Sequence, residues 1–91
     1  MTETPREDTL FEFPCDFPIK IMGRASDEFR SLALGIVTRH FGNLDPAHIE
    51  ERVSSNGRFL SFTCTVRAES KAQLDAVYRE LTSCSQVLVA L

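Results

Sequence analysis

The sequence predicts an α+β domain, and three features of the 91-residue chain lead to this prediction. Short stretches in which apolar and polar residues alternate predict four strands. Two longer stretches carry apolar residues at the three- and four-residue spacing of an amphipathic helix. The Asn56-Gly57 pair lies between two of the strands and predicts a hairpin. The order of elements is therefore that of the ferredoxin-like βαββαβ sandwich, a four-stranded antiparallel sheet with two helices on one face.

The first ten residues are polar and contain Pro5, which predicts a flexible N-terminal tail, and residues 11–91 are predicted to form a single domain. Phenylalanines and prolines dominate residues 11–18, and the prolines exclude a helix there. We therefore expect an extended arm that packs on the domain. The first strand follows at residues 19–22, and we expect Gly23 to end it at a close turn.

Both predicted helices begin at a serine that can accept a hydrogen bond from a free backbone N–H. Ser26 caps the first helix, which ends near Phe41 because Gly42 and Asn43 tolerate a left-handed cap. Its apolar stripe consists of Phe29, Leu32, Ala33, Ile36, Val37 and Phe41. Ser70 caps the second helix, and the stripe of that helix consists of Leu74, Val77, Tyr78 and Leu81.

The hairpin fixes how the second and third strands pair. A type I′ turn at Asn56-Gly57 has a positive φ at both residues, and it would pair Val53 with Leu60. The same register places Glu51 opposite Phe62, on the face assigned to the core. An edge position would explain this charge, because charged residues that point inward protect edge strands from pairing with other chains. A bulge that turns the residue outward is the alternative.

Right-handed crossovers place both helices on one side of the sheet. The first and third strands are then central, and the second (residues 48–55) and the fourth (residues 86–91) lie at the edges. The side without helices is here called the open sheet face. Its predicted residues are Lys20, Met22, Glu50, Arg52, Phe59, Ser61, Thr63, Thr65 and Arg67, with either Leu88 and Ala90 or their neighbours from the last strand.

Composition argues against several classes of function. The net charge of −3 gives poor attraction to phosphates, so we do not expect nucleic acid as a partner. Cys15, Cys64 and Cys84 are odd in number and widely separated, which favours reduced thiols and a cytoplasmic location. Neither cysteines nor histidines show metal-ligand spacing, so we expect no metal and no cofactor. No apolar run approaches the roughly 18 residues that span a bilayer, and we expect no membrane association.

The sequence shows no arrangement of residues typical of catalysis, and we expect the protein not to be an enzyme. His40 and His48 have no evident partner that would make either a general base. Glu50 and Glu51 are adjacent in a strand and point to opposite faces, so they cannot act on one substrate atom together.

Several ordered blocks span residues 11–91. They are Phe13-Pro14, Phe17 with residues 19–23, residues 54–61, Leu74 with Tyr78 and Leu81, and residues 87–91. Together they resemble the YbeD-like family of small bacterial proteins. The resemblance implies a ferredoxin-like fold similar to regulatory ACT domains, a cytoplasmic bacterial protein, self-association and no established enzyme activity. Some relatives are described as lipoate regulatory proteins on the basis of their genomic context. Glu51 departs from the family, in which this position is apolar, and this bears on how the second strand packs.

Two functions are compatible with these features. The first is a regulatory or adaptor domain that binds a protein, including a second copy of itself, through Met22, Arg58, Phe59, Ser61 and Thr63; a simply solvated or loop-covered sheet is the alternative. The second is an ACT-type sensor that holds a carboxylate metabolite near the start of the first helix, with contacts from Lys20, Gly23 and Arg24. A glycine between strand and helix also serves turn geometry alone.

Overall fold

A computed structural model describes residues 12–91, so the predicted tail lies outside the described residues. The elements, in chain order, are β1 (Cys15–Arg24), α1 (Asp27–Phe41), a 3-10 turn (Pro46–His48), β2 (Ile49–Val53), β3 (Phe59–Ala68), α2 (Lys71–Thr82) and β4 (Val87–Ala90). The strands form one antiparallel sheet in the order β2-β3-β1-β4. This confirms the predicted α+β ferredoxin-like fold, with the first and third strands at the centre.

Strand β1 is longer than predicted. It begins at Cys15 and pairs with β3 along its whole length, so the prediction of a separate arm over residues 11–18 is wrong from Cys15 onward. Pro18 lies inside this central strand although it has no N–H to donate. The main chain of Lys20 exchanges hydrogen bonds with Leu91 at 2.9 and 2.8 Å, and by alternation Pro18 faces the same side. The described part of β4 has no residue opposite Pro18 there, so its missing N–H leaves no ladder bond unmade.

The two predicted helix caps are confirmed. The Ser26 hydroxyl accepts a hydrogen bond from the Phe29 N–H at 2.9 Å, and the Ser70 hydroxyl accepts one from the Gln73 N–H at 3.1 Å. Helix α1 ends at Phe41 and is capped by Gly42, whose φ is 81°. Neither helix in the described residues is long and apolar enough to cross a bilayer. The two helices and one side of the sheet enclose the core, which comprises Ile19, Ile21, Phe29, Ala33, Ile36, Val37, Leu60, Phe62, Cys64, Val66, Ala68, Leu74, Val77 and Leu81.

The register of the hairpin is the predicted one. Val53 pairs with Leu60, and Glu51 pairs with Phe62 without a shift in register. Strand β2 lies at the edge of the sheet, so the edge explanation of Glu51 is confirmed and the bulge is not needed. The Glu51 carboxylate accepts hydrogen bonds from two nitrogens of the Arg30 guanidinium, one of them Nε at 3.3 Å. This pairing raises the pKa of Arg30 above its usual range and gives the inward-facing carboxylate a partner on α1.

The turn that closes the hairpin is not type I′. No non-glycine residue among residues 12–91 has a positive φ, and in this turn only Gly57 does, at 74°. The Gly57 N–H donates to the Ser54 carbonyl at 2.9 Å, and the Asn56 side-chain oxygen accepts from the Ser54 hydroxyl at 2.7 Å and from the Arg58 N–H at 3.0 Å. The Ser54 hydroxyl in turn accepts from the Phe59 N–H at 3.0 Å. These side-chain hydrogen bonds pair the polar groups of the loop, so Asn56 does not need the left-handed conformation.

Gly23 lies one residue before the end of β1 rather than at its end. A Cβ at this position would stand 2.5 Å from the Gln86 carbonyl oxygen and 2.5 Å from the Phe29 ring, so only glycine fits. The pairing of β1 with β4 shifts beside Gly23 and leaves Leu88 without an opposite residue. The strand therefore runs past its predicted end, and glycine is required at position 23 by packing against Phe29 of α1 and Gln86 in the turn before β4 rather than by a turn at Gly23.

Candidate functional site

The open sheet face is the side of the sheet away from both helices. The pairing of Met22 with Val89 and of Ile21 with Ala90 settles the contribution of the last strand. Val89 and Leu91 lie on the open sheet face, whereas Ala90 packs against the core. By strand alternation the face consists of Asp16, Pro18, Lys20, Met22 and Arg24 from β1, Phe59, Ser61, Thr63, Thr65 and Arg67 from β3, Glu50 and Arg52 from β2, and Val89 with Leu91.

Apolar side chains are exposed at one end of this face. Met22 and Val89 are each 41% exposed and Leu91 is 70% exposed. They surround a shallow cavity of about 450 Å³, which is also lined by Lys20, Ile21, Glu50, Arg52, Ser61, Phe62 and Thr63. A smaller depression of about 260 Å³ adjoins it and brings in Phe59. Four of the five predicted interface residues therefore lie together; the fifth, Arg58, is exposed in the hairpin loop and lines neither concavity.

Charged side chains surround the apolar area. Arg67 pairs with Asp16 at 3.2 Å, and Arg52 lies 3.9 Å from Glu50. Lys20 is exposed and has no ion pair with any other residue in the described range. The face therefore combines an apolar patch, short hydroxyl side chains and a cation available to a partner.

The three predicted ligand-binding residues do not converge on one cavity. Gly23 is buried beneath the Phe29 ring, and Lys20 belongs to the cavity of the open sheet face. Arg24 lines a different cavity of about 420 Å³ at the junction of β1 and α1, together with Ala25, Ser26, Ser85, Gln86 and Leu88. Binding of a carboxylate metabolite at this junction stays a prediction.

A charged cluster that the sequence did not reveal joins the two helices. His40 Nε2 lies 2.8 Å from Glu80 Oε1, and the Arg39 guanidinium donates to the other oxygen of Glu80. The hydrogen bond with His40, and then that with Arg39, lowers the pKa of Glu80 below its usual value. The expectation that His40 has no partner is therefore wrong, because its partner lies forty residues away on α2. The Gln73 side chain also donates to the His40 carbonyl at 3.0 Å, so this cluster ties α2 to the end of α1.

The cysteines do not form a reactive centre with these residues. Cys64 is fully buried, and burial raises the pKa of its thiol to about 11. Cys15 and Cys84 are half-buried free thiols. Across residues 12–91 no three His, Cys, Asp or Glu side chains are grouped so that they could hold a metal ion.

Comparison with known proteins places this chain in a family. A family model described as "Protein of unknown function (DUF493)" matches residues 8–91. A UPF0250 protein of Paraburkholderia phytofirmans is 46% identical over 84 residues, which are 92% of this chain and 94% of that protein. A UPF0250 protein of Bordetella pertussis is 42% identical over the whole of both chains. This chain belongs to the UPF0250 family.

Membership of UPF0250 confirms the resemblance to YbeD-like proteins drawn from the sequence blocks. A further UPF0250 protein, from Nitrosomonas europaea, is 47% identical over 82% of this chain and 86% of its own length. No solved structure matches this chain significantly. The family descriptions carry no activity, so the function of this UPF0250 protein has to be argued from its surface.

Proposed function

We propose that this UPF0250 protein is a non-catalytic regulatory or adaptor domain that acts through protein–protein contacts of its open sheet face and the adjoining hairpin. The observation that carries the proposal is the exposed group of Met22, Val89 and Leu91 around a cavity of about 450 Å³. Single exposed apolar residues are ordinary on protein surfaces, but a group of them with a polar rim is typical of an interface.

The construction of the sheet supports the same proposal. Met22, Ser61 and Thr63 lie on β1 and β3, which are central strands with a neighbour on each side. Their main chain is therefore held by two ladders over most of the face, and little backbone freedom would be lost when a partner binds. The half-buried Ser61 and Thr63 hydroxyls can donate and accept hydrogen bonds beside the apolar patch.

The residues around the cavity favour binding over catalysis. Its described lining contains the hydroxyls of Ser61 and Thr63 but no histidine or cysteine, and its carboxylate, Glu50, is 67% exposed and lies 3.9 Å from Arg52. A serine or threonine is a weak nucleophile unless an adjacent base removes its proton. Lys20 and Arg52 offer positive charge to a partner, and we assign them to recognition.

Site-specific photo-crosslinking in the native bacterium tests the proposal. A photoreactive amino acid at position 22 should trap a discrete partner protein, and Val89→Asp in the same chain should remove that adduct. Position 88 is the matched control, because Leu88 is 52% exposed but lines the cavity at the β1–α1 junction instead. Equal adducts from both positions, or no adduct from position 22, would contradict the proposal.

The second candidate function is a sensor of a carboxylate metabolite at the β1–α1 junction. The cavity of about 420 Å³ favours it, because Arg24 could pair with a carboxylate and Gln86 could donate to it. Asp27 and Glu28 in the first turn of α1 oppose it by like charge. Amino acids and lipoate should be screened for a rise in melting temperature, with Arg24→Gln as the test variant and Arg79→Gln on α2 as the control. If no carboxylate raises the melting temperature, this function is excluded.

A further inference from the structure

The open sheet face is positively charged although the whole chain carries a net charge of −3. Its strand residues include four basic side chains and two carboxylates, so their net charge is +2. The basic residues are Lys20, Arg24, Arg52 and Arg67, and the acidic ones are Asp16 and Glu50. A surface whose charge is opposite to that of the rest of the protein selects a partner of complementary charge.

Two of the four cations of the face have no acidic neighbour among residues 12–91 and are available to that partner. Both carboxylates of the face already have a basic neighbour, at 3.2 and 3.9 Å. Lys20 and Arg24 are exposed and form no ion pair within the described part of the chain. They flank Met22 on β1, where Lys20 lines the cavity of the open sheet face and Arg24, at the end of the strand, also borders the cavity at the β1–α1 junction. A ligand that covers Met22 and extends to the end of β1 would bring carboxylates to both of them. The expected partner is therefore acidic as well as apolar.

The backbone of the sheet decides which kind of chain segment can lie here. The N–H and C=O groups of β3 and of most of β1 are directed at neighbouring strands, so this face offers side chains only. An extended segment lying on the face would leave its own backbone groups without partners, whereas a helix satisfies them internally. Helices α1 and α2 already pack their apolar stripes against the other side of this sheet, and an amphipathic helix of a partner could pack on the open sheet face in the same way.

We propose that the open sheet face binds an acidic amphipathic helix of a partner protein. The apolar stripe of that helix covers Met22, Val89 and Leu91, and its flanking carboxylates meet Lys20 and Arg24. The two cations are four residues apart on β1, which is about 13 Å along a strand. Residues seven apart on a helix lie on the same side of it and are about 10.5 Å apart, so two acidic residues at that spacing can reach the ends of both long side chains. This inference rests on the proposed function and names the class of partner.

Binding of two synthetic peptides to the full chain tests this inference. Both are 18-residue helices with the same leucine stripe, and one has glutamates where the other has lysines. Fluorescence anisotropy should show binding of the glutamate peptide at least tenfold tighter than that of the lysine peptide, and weakening as salt rises. Lys20→Glu should weaken binding of the glutamate peptide at least tenfold, and Lys20→Gln should weaken it by a smaller factor. Arg79→Glu makes the same charge change on the exposed side of α2 and should alter binding less than twofold.

Several outcomes would overturn the inference. Equal affinity for the two peptides would show that charge does not select the partner. An equal loss in Lys20→Glu and Arg79→Glu would show that only net charge matters. Tighter, Lys20-dependent binding of a 12-nucleotide oligouridylate would identify nucleic acid instead, although Phe59 is the one aromatic side chain among the strand residues of the described face. If position 22 still crosslinks a protein while neither peptide binds, the proposed function stands and the acidic helix is wrong.

Discussion

Replacing Gly23 with alanine should cost the domain much of its stability although it adds only one methyl group. The new Cβ would lie 2.5 Å from the Gln86 carbonyl oxygen and 2.5 Å from Cε1 of Phe29, whereas optimal non-bonded contact is about 3.5–4.0 Å. The Phe29 side chain is buried, and its ring centre is 5.9 Å from that of Phe62, so the ring has little room to withdraw. The other contact is with backbone and can be relieved only by moving the turn that contains Gln86 and leads into β4.

The size of the loss follows from this geometry. Adding a methyl group to a packed core typically costs about 1–3 kcal/mol, and a double contact that includes main chain belongs at the upper end, at about 2–3 kcal/mol. In a domain of this size each kcal/mol lowers the melting temperature by about 4–8 °C. We therefore expect Gly23→Ala to lower it by about 10–20 °C.

Gly35→Ala is the matched control. A Cβ on Gly35 would meet nothing within 4 Å, and the residue lies inside α1. Alanine is favoured over glycine in a helix interior by about 1 kcal/mol, so this variant should be more stable than the wild type. Urea and thermal unfolding of the three proteins, followed by circular dichroism, measure both effects. A free energy of unfolding for Gly23→Ala within about 0.5 kcal/mol of the wild type, the range of neutral surface changes, would refute the reasoning.

Three further predictions concern the hairpin, the helix pair and the core. Asn56→Gly should lower the free energy of unfolding by about 1 kcal/mol in urea titrations, because two hydrogen bonds to its side chain are lost; a gain in stability would indicate a type I′ turn after all. His40 and Arg39 lower the pKa of folded Glu80, so its contribution is complete above the ordinary value of 4.5 and is lost as pH falls through the folded pKa. Glu80→Gln should therefore flatten the decline of stability below about pH 4.5, and an unchanged pH profile would count against the cluster. Cys64 has a pKa of about 11, so at pH 8 its thiol should react with iodoacetamide only when the protein unfolds. Mass spectrometry measures this reaction, and rapid labelling of Cys64 in the folded protein would contradict the prediction.

The hairpin shows why a register can be predicted when its turn cannot. A loop of residues 56–57 and a loop of residues 55–58 share the same centre, so Val53 pairs with Leu60 in both. The alternation of β3 around that centre is enough to fix which residues share a face. The conformation of Asn56 depends instead on hydrogen bonds from Ser54 and Arg58, which compete with the left-handed geometry that its sequence favours.

The features that the sequence did not predict depend on contacts between residues far apart in the chain. By sequence alone Pro18 predicts a segment outside a strand. It is tolerated inside β1 because β4 pairs with β1 only beyond this position, so within the described chain the missing N–H of Pro18 has no hydrogen-bond partner to lose. His40 has no local partner, and Glu80 reaches it only because α1 and α2 pack side by side. The partner of Glu51 likewise comes from α1. Each of these features requires the assembled sheet and helices, which no single segment of the sequence specifies.

The last strand links this limit to the proposed function. Residues 87–91 are all apolar, so alternation could not show which of them face the helices. Such continuous apolar runs are typical of strands that are covered on both faces. The helices cover one side of β4, where Ala90 packs against the core, while Val89 and Leu91 remain exposed on the other. Strand β4 lies at the edge of the sheet and has apolar residues on both sides. This composition is explained if a partner covers the open sheet face, which is the surface to which we assign the acidic helix.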